Sequence, residues 1–449
     1  MGEPGPWAGR RLHFVGVGGA GLSAYARAAR ALGASVTGSD QAASAFSHAL
    51  AVDGVLAAAI GHSAQNLPAG EGIEVVCSAT IPAENPERVA AEQRGLALLS
   101  RAALLGELTA LRRTIAVAGA HGKTTTSSMI ASVLRAGGLD PGYLIGGILR
   151  ETGRNGDWGS GEWLIVEADE SDRSLLSLQA EIAVLTNAEL DHHDAFGSLA
   201  ELEQVYREFL AGPREAVIWD RPELLALRQG PHVAYDVAEA TLEAGRASFA
   251  WDGVAVELAL PGIHNARNAA AALCVARLVG ISAADAATAL SRFRGAARRF
   301  ERLGSSAAGA EVYDDYAHHP TEIAATLAGA RTLAPSRLIA VFQPHLYSRT
   351  QALAREFGAA LAAADVVVVL DVYAARERAS DFPGVSGRSI AEATADASAG
   401  RPTYWMPDRD AAEQLLRELA GAGDLLVVMG AGDVDELGRR VLAGGEGQA

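Results

Sequence analysis

Short hydrophobic runs alternate with helix-patterned segments along most of the chain. Some runs, such as residues 366–370 and 425–429, are apolar at every position, which is typical of parallel strands covered by helices on both faces. The pattern predicts strands at residues 11–17, 35–37, 74–77, 115–118, 163–166, 183–186, 311–313, 338–342, 366–370 and 425–429.

Alanine-rich segments with helical spacing lie between these runs, for example at residues 23–32, 125–136 and 266–279. Strands that alternate with helices predict an α/β architecture. The length of 449 residues favours three domains. A polar stretch at 109–113 and the small-residue stretch LGSSAAG at 303–309 each precede a new strand. We read both as linkers and expect domains over 1–109, 110–305 and 306–449.

The composition excludes several classes of protein. Hydrophobic residues make up 49% and charged residues 20%, so the chain can bury large cores and is not expected to be disordered. The 38 Lys and Arg residues are outnumbered by 54 Asp and Glu residues, which gives a net charge of −16. That excess argues against a general nucleic-acid-binding role.

The compartment is also constrained by the sequence. Two cysteines, Cys77 and Cys274, argue against a disulfide framework and fit a reducing environment. The N-terminus has Gly and Pro where a signal peptide has an apolar core. No apolar run approaches the ~20 residues that span a bilayer. We therefore expect a cytoplasmic protein without membrane or nucleic-acid partners, as a monomer or a weak homodimer.

A glycine-rich loop, Gly16-Val17-Gly18-Gly19-Ala20-Gly21, follows the first predicted strand. With Asp40 at the end of the second strand, it matches the G-x-G-x-x-G pattern of dinucleotide-binding folds. Glycines let backbone N–H groups approach a diphosphate at a helix N-terminus. A UDP-sugar also carries a diphosphate and a ribose, so the motif predicts a nucleotide without naming it. A glycine turn without a ligand is the structural alternative.

A second loop, Gly119-Ala120-His121-Gly122-Lys123-Thr124-Thr125, lies between a predicted strand and a helix. It is a shortened P-loop, because Val117 stands where the strict pattern G-x-x-x-x-G-K-[ST] needs glycine. Lys123 is expected to reach the β- and γ-phosphates of ATP, and Thr124 to ligate Mg²⁺. A second nucleotide site argues against a simple dehydrogenase.

Two acidic clusters follow later strands: EADESD at 167–172 and NAELDHHD at 187–194. Parallel sheets bind ligands at the carboxyl ends of their strands, so both clusters are expected to face the phosphates bound by Lys123. Carboxylates and imidazoles there suit a Mg²⁺ ion that bridges phosphate oxygens. Each cluster alone is also typical of a solvated first helical turn.

Together these motifs resemble those of the Mur ligases, ATP-dependent enzymes that form amide bonds in peptidoglycan synthesis. The resemblance covers essentially the whole chain and is strongest to the members that add L-alanine to UDP-N-acetylmuramate. It rests on GVGGAG with Ser23, GAHGKTT, EADESD, NAELDHHD, PGIHNARNAAAA (261–272), RRFE (298–301), DDYAHHPTE (314–322), FQPHLYSRT (342–350) and MGAGD (429–433). It implies a Rossmann-like domain for the UDP-sugar, a central P-loop-type ATPase domain, and a C-terminal Rossmann-like domain for the amino acid.

The resemblance also implies roles for individual residues. The expected catalytic residues are Lys123, Glu167, His192 and His318. The expected ATP-binding residues are Gly119, His121, Gly122, Lys123, Thr124, Thr125, His264, Asn265, Asn268, Arg298 and Arg299, with one of the two arginines on phosphate. The expected substrate-binding residues are Gly18, Gly19, Gly21, Ser23 and Asp40 for UDP, and Tyr316, His318 and Arg349 for the amino acid. The expected Mg²⁺ ligands are Thr124, Glu167 and His192.

Two departures from the family pattern bear on these roles. Ala120 replaces a threonine of the phosphate loop, where the backbone N–H is retained. Leu346 replaces an arginine that often follows His345, which leaves Arg349 as the expected cation for the amino-acid carboxylate. The attacking amine must lose a proton, and either His318 or His319 is suited to remove it.

Three other functions compete with this one. The nearest competitor within the family is a ligase that attaches a preformed peptide to the same UDP-sugar. An NAD-dependent oxidoreductase accounts for residues 16–21 and Asp40 but leaves Lys123 and both acidic clusters unexplained. A non-catalytic nucleotide sensor does not need acidic clusters behind the phosphate loop.

Overall fold

The computed structural model describes residues 5–78, 80–191 and 195–443. The chain divides into two compact units. The first comprises the described residues of Met1–Glu189, Ser198–Asp236 and Asn268–Ala289, and the second comprises those of Leu190–Gly197, Val237–Arg267 and Leu290–Ala449.

The first unit begins with a five-stranded parallel sheet in the order β3-β2-β1-β4-β5. Its strands are β1 (Arg11–Val15), β2 (Ser35–Asp40), β3 (Ala59–Ile60), β4 (Ile73–Cys77) and β5 (Ala97–Ser100), and its helices are α1 (Ala20–Ala31), α2 (Ala45–Val52), α3 (Pro86–Gln93) and α4 (Arg101–Ala110). The strand order reverses beside β1, and open α/β sheets bind ligands at the carboxyl edge of such a switch point.

A seven-stranded sheet follows in the order β12-β11-β10-β6-β9-β7-β8. Its strands are β6 (Arg113–Ala118), β7 (Gly142–Leu149), β8 (Arg154–Asp157), β9 (Trp163–Glu167), β10 (Ile182–Leu185), β11 (Glu215–Trp219) and β12 (Val233–Tyr235), with helices α5 (Lys123–Ala136), α6 (Leu199–Ala211) and α7 (Pro222–Leu225). Strand β6 is the parallel neighbour of both β9 and β10. The carboxyl ends of these three strands therefore lie side by side.

The second unit contains a three-stranded antiparallel sheet and a six-stranded sheet in the order β16-β17-β21-β18-β19-β20. The strands are β13 (Thr241–Glu243), β14 (Arg246–Trp251), β15 (Val254–Leu258), β16 (Glu301–Ser305), β17 (Glu311–Asp315), β18 (Leu338–Phe342), β19 (Val366–Val369), β20 (Thr403–Trp405) and β21 (Leu425–Met429). The remaining helices of the chain are α8 (Ile263–Leu278), α9 (Ala283–Ser291), α10 (Pro320–Arg331), α11 (Tyr347–Leu361), α12 (Gly387–Ala397), α13 (Arg409–Leu419) and α14 (Asp435–Ala443). Helix α8 begins in the second unit and continues in the first, which also holds most of α9.

Two apolar clusters cover the two faces of the six-stranded sheet. Ala340 and Phe342 of β18 pack with Ile323 and Phe357 on one face, and Val341 packs in the other cluster. Successive strand residues point to opposite faces, so a strand with helices on both sides needs an apolar side chain at every position. This explains the unbroken apolar runs and confirms the predicted α/β class.

Some predicted elements are confirmed and others are wrong. The strands at 338–342 and 425–429 have the predicted bounds. The strand predicted at 11–17 ends at Val15, because Gly16 turns the chain with a φ of +87°. The segment 303–309 is not a linker, since Glu301–Ser305 form β16, antiparallel to β17. Its small residues make the turn of that hairpin, where Ser306 N donates to Ala310 O.

Two expectations about the protein class can be compared with the structure. Both cysteines are free. Among residues 5–78, 80–191 and 195–443, no helix has the length and apolar character needed to cross a bilayer.

Candidate active site

The loop after β6 turns at two glycines. Gly119 and Gly122 have φ values of +131° and +82°, a region that residues with side chains rarely adopt. A Cβ atom on Gly119 would collide with Thr186 Oγ1, and one on Gly122 would lie 2.8 Å from Asn268 Oδ1. The loop is therefore a cradle of bare backbone at the N-terminus of α5, an arrangement that favours anions.

Two polar residues after β10 hold this cradle in place. Thr186 Oγ1 donates to His121 O at 2.6 Å. The Asn187 amide accepts from His121 N at 3.0 Å and donates to His121 O at 2.9 Å. Asn187 was expected only as part of the acidic cluster at 187–194, and this supporting role was not predicted. A polar pair directly after a buried strand was the available signal.

Lys123 begins α5 and lies among carboxylates. Its Nζ atom is 2.9 Å and 3.1 Å from the two carboxylate oxygens of Glu170, and it donates to Gly119 O at 2.6 Å. Burial lowers the pKa of Lys123, but the charges of Glu170 and Asp169 outweigh that effect, and the pKa is raised. The ammonium group therefore remains charged beside the cradle.

Two carboxylates at the end of β9, Glu167 and Asp169, lie near the phosphate loop. Glu167 accepts a hydrogen bond from Gly146 N at 2.7 Å. Burial acts to raise the pKa of Asp169, yet the charges of Arg101 and Lys123 dominate and hold it well below its usual range. Ionised oxygens are the ligands that Mg²⁺ prefers. Among the predicted ligands, Thr124 and Glu167 flank this region, whereas His192 lies outside the described residues.

The first glycine loop is held by its own neighbours. Gly18 N donates to Asp40 Oδ2 at 2.7 Å, and Ser44 Oγ donates to Gly18 O at 2.8 Å. Ser23 is fully buried, where its hydroxyl donates to Ala20 O and accepts from Asn155 Nδ2. Asp40 and Ser23 thus stabilise the loop and the start of α1. The remaining predicted contacts for UDP are backbone groups at Gly18, Gly19 and Gly21.

In the second unit, two of the predicted amino-acid-binding residues meet at one carboxylate. Arg349 is 4% exposed, and its Nε and Nη2 atoms lie 2.9 Å and 2.8 Å from Asp191 Oδ1. His318 Nε2 lies 3.8 Å from Asp191 Oδ2. The Tyr316 ring packs edge-on against the His318 ring, with centroids 5.3 Å apart. From the sequence, Asp191 was expected only as one member of the acidic cluster at 187–194.

The adjacent histidines have different hydrogen bonds. His318 Nδ1 lies 2.9 Å from Tyr316 O. A carbonyl oxygen only accepts, so Nδ1 carries the hydrogen and Nε2 keeps its lone pair. Burial lowers the pKa of His318, which favours this neutral form. His319 instead caps α10, where its Nδ1 atom accepts from Thr321 N at 3.4 Å.

The two adjacent arginines also differ in their contacts. Arg298 lies 3.1 Å from Asp314 Oδ2 and donates to Gly430 O and Gly432 O at 2.7 Å and 2.9 Å. These hydrogen bonds therefore hold the loop that follows β21 in place. Both guanidinium groups lie over the Tyr316 ring, that of Arg298 at 5.1 Å and that of Arg299 at 5.0 Å from the centroid.

Of the three residues predicted at the start of α8, Asn268 lies against Gly122 of the phosphate loop. Asn265 Nδ2 donates to Pro261 O at 2.7 Å, one turn back along the chain. Burial lowers the pKa of His264 to about 4. The phosphate loop and Asn268 therefore form a shared cluster within the first unit, while His264 and Asn265 belong to the second.

Three family models match successive parts of the chain. They describe the Mur ligase family catalytic domain (residues 11–113), the Mur ligase middle domain (117–276) and the Mur ligase glutamate ligase domain (298–432). A UDP-N-acetylmuramate–L-alanine ligase from Thermobifida fusca is 43% identical over 96% of each chain. The chain belongs to the Mur ligase family.

Other relatives and structures agree with this family. A UDP-N-acetylmuramate–L-alanine ligase from Rubrobacter xylanophilus is 42% identical over 96% of this Mur ligase and 99% of the relative. A crystal structure of UDP-N-acetylmuramate–alanine ligase from Thermotoga maritima has 26% identity and a TM-score of 0.83, covering 96% of this chain and 98% of that one. A murein peptide ligase from Psychrobacter arcticus, 24% identical, shares the fold with a TM-score of 0.74 over 98% and 100% of the two chains.

Family membership decides between some of the competing functions. An NAD-dependent oxidoreductase and a non-catalytic nucleotide sensor are both wrong for a Mur ligase. The glycine loop at residues 16–21 therefore belongs to a ligase, in which the same backbone geometry serves another nucleotide. The choice of amino acid or peptide rests on the named relatives and the second unit.

Proposed function

We propose that this Mur ligase joins L-alanine to the lactyl carboxylate of UDP-N-acetylmuramate, with ATP converted to ADP and phosphate, in the synthesis of peptidoglycan precursors. The observation that carries the reaction type is the charged Lys123 ammonium beside the bare backbone at Gly119 and Gly122. The choice of substrates is supported by the names of relatives that match nearly the full chain.

The carboxylate must be activated before an amine can displace one of its oxygens. A carboxylate oxygen attacks the γ-phosphorus of ATP, the bond to ADP breaks, and an acyl phosphate forms. Negative charge spreads over the transferring phosphoryl group, so a fixed cation and oriented N–H groups stabilise the transition state. Lys123 and the cradle around His121 and Gly122 supply both.

A divalent metal fits the residues present. Glu167 and Thr124, at the carboxyl edge of β6 and β9, offer a carboxylate oxygen and a hydroxyl oxygen as Mg²⁺ ligands. The family resemblance implies His192 as the third ligand. When bound there, Mg²⁺ neutralises charge on the phosphate oxygens.

The second step requires a neutral amine. The amine attacks the acyl carbon, phosphate leaves, and the nitrogen loses a proton. His318 is the better candidate of the two histidines to accept this proton. Its Nδ1 carries the hydrogen that is donated to Tyr316 O, so its Nε2 has a lone pair that can accept a proton. His319 uses its Nδ1 atom for the cap of α10. Arg349 carries the positive charge for the alanine carboxylate.

Arg299 is the better candidate of the arginine pair for phosphate. Arg298 donates to Asp314 and to two loop carbonyls, and these contacts give it a structural role in the second unit. Of the expected domain bounds 1–109, 110–305 and 306–449, we propose the first boundary as it stands and place the second before β16, because β16 pairs with β17. We also propose a cytoplasmic monomer or weak homodimer.

The test measures phosphate release from ATP. We expect release to require both UDP-N-acetylmuramate and L-alanine. Release with the UDP-sugar and a tripeptide but not with alanine would assign the protein to the peptide-adding ligases. No release with either acceptor would reject the proposal.

A further inference from the structure

Arg101, which the sequence analysis did not single out, lies against the start of α1. It begins α4, and its Nε atom lies 3.3 Å from the position that a Cβ atom on Gly21 would take. The same Nε atom is 3.4 Å from Tyr25 Oη. Gly21, the last glycine of the first loop, therefore leaves room for the guanidinium group. The side chain of Arg101 is 20% exposed.

The same guanidinium group reaches the acidic segment after β9. Arg101 Nη1 lies 3.2 Å from Asp169 Oδ2 and 3.1 Å from Asp172 Oδ2. Asp169 is also acted on by the charge of Lys123. A row of alternating charges, Arg101–Asp169–Lys123, thus runs from the first glycine loop to the phosphate loop within the first unit.

The charges in this region pose a problem for the proposed substrate. Its lactyl carboxylate must reach the γ-phosphate beside Lys123, while the diphosphate of the same molecule remains at the first loop. The segment between them carries Glu167, Asp169, Glu170 and Asp172, and each repels another carboxylate. A cation along that route would offset the repulsion, and Arg101 lies against two of these carboxylates.

We propose that Arg101 binds the lactyl carboxylate of the UDP-sugar, and that Asp169 and Asp172 hold its guanidinium group in place until the substrate arrives. The planar fork of an arginine matches a carboxylate through two parallel hydrogen bonds. In the free protein, Asp172 and the substrate then compete for the same donors. This inference rests on the proposed function, since it needs a UDP-sugar with a lactyl group.

The competition gives an unusual pair of expected effects. Arg101→Met should weaken binding of UDP-N-acetylmuramate by about 10- to 100-fold, as expected for the loss of a charged hydrogen-bonding partner. Asp172→Asn should tighten it by about 2- to 5-fold, because a competitor for the guanidinium group is weakened. In the double variant, Asp172→Asn should have no further effect. A purely structural role for this ion pair would give both substitutions the same sign.

The binding experiment uses calorimetry with the full chain and no ATP. UDP-N-acetylglucosamine, which lacks the lactyl group, is the matched ligand, and its affinity should be unchanged in Arg101→Met. Arg154→Met is the matched variant, because Arg154 forms an exposed pair with Asp53 in the same unit. Arg101→Lys retains the charge and should recover part of the affinity if Arg101→Met folds poorly.

Two results would overturn the inference. One is an equal loss of affinity for both UDP-sugars in Arg101→Met, which would assign the arginine to the diphosphate. The other is weaker binding in Asp172→Asn. The proposed function is tested separately, because it fails if the wild-type protein releases no phosphate with alanine, whatever the binding data show.

Discussion

Buried ionisable groups near the phosphate loop (residues 119–125) differ in charge from those near His318 and His345. In the first unit, the charged forms are kept: the pKa of Asp169 lies below its usual range and that of Lys123 above it. In the second unit, burial favours the neutral forms of Asp314, Asp315 and His345. It raises the pKa of Asp314 to about 7 and that of Asp315 to about 6, and it lowers the pKa of His345 to about 3.

The difference follows from the partners that each group has. Glu87 of the first unit is fully buried, yet it accepts hydrogen bonds from His13, Ser39, His62 and Asn66, which lower its pKa to about 2 against the effect of burial. Asp314 is equally buried, but among the described residues its Oδ1 atom has no hydrogen-bond partner.

This contrast matches two kinds of chemistry. A polyanion such as ATP is bound by charges that stay fixed, because a cation that lost its proton would no longer stabilise the transferring phosphoryl group. An amine that must lose a proton needs a neutral acceptor nearby, and burial supplies one at His318. The first unit thus provides fixed charges, and the second provides groups that can exchange protons.

The largest expected effect concerns the fixed charge at Lys123. Lys123→Met should lower phosphate release by about 10³-fold, in the range found when one transition-state donor is removed. It should also destabilise the protein by about 3 kcal/mol, because Glu170, 1% exposed, is left without its cation. Steady-state phosphate release and thermal unfolding measure the two effects.

The control for Lys123 is the double variant Lys123→Met with Glu170→Gln. Neutralising the carboxylate should restore most of the lost stability and none of the activity. If activity returned with stability, Lys123 would serve only to balance Glu170, and the contrast between the two regions would lose its functional meaning.

The next effect tests the proton-accepting region. His318→Gln should lower the rate at saturating alanine by about 10²-fold, as for loss of a general base. Because burial lowers the pKa of His318, the wild-type rate should fall only below the ordinary imidazole pKa of about 6.5. The variant should instead gain rate with rising pH as alanine itself becomes neutral. A pH series of initial rates checks both.

His319→Gln is the matched control for His318. It removes the ring that caps α10, so stability should fall by about 1 kcal/mol, while the rate stays within about 3-fold of wild type. A 10²-fold loss in His319→Gln with an unaffected His318→Gln would reverse the assignment of the base.

A smaller effect separates the neighbouring arginines. Arg299→Met should lower phosphate release by about 10-fold, as expected for the loss of a phosphate contact. Arg298→Met should instead destabilise the second unit by about 3 kcal/mol, because fully buried Asp314 loses its cation and two loop carbonyls lose their donor. Equal losses of activity in both variants, with no difference in stability, would contradict this division.

The local features of this protein could be read from its sequence. Apolar runs such as 338–342 and the loop around Lys123 are encoded in contiguous residues, and short-range pattern is enough to find them. The expectation that 303–309 is a linker failed because the same small residues suit a hairpin turn, and only the partner strand β17 distinguishes the two.

The partners of site residues could not be read in the same way. Asp191 and Arg349 are 158 positions apart, and nothing in their local sequence specifies the pairing. Asp40 was found by its spacing, but spacing cannot tell whether its carboxylate meets a ribose or, as here, Gly18 N. Glu87 looks like an ordinary first-turn glutamate until α3 places it against His13 and Ser39. The local sequence identifies which residues belong to the site, whereas the charge states of these residues depend on tertiary contacts.

The smallest effect is a pH dependence of stability that comes from Asp314. Its pKa is raised from 3.8 to about 7 in the folded protein by burial, against the charge of Arg298. Between those values the folded state holds a proton that the unfolded state has lost, so stability falls as pH rises, by at most about 1.4 kcal/mol per pH unit.

Asp315, with a pKa of about 6, adds to the slope at lower pH. Urea unfolding between pH 6.5 and 7.5 measures this slope, and Asp314→Asn should remove the part that Asp314 contributes. Asp365→Asn is the control, because Arg331 holds the pKa of Asp365 below 3.8 and its removal should leave the slope between pH 6.5 and 7.5 unchanged. An unaltered slope in Asp314→Asn would mean that this carboxyl is ionised like those of the first unit, and the contrast between the two regions would then be restricted to their histidines.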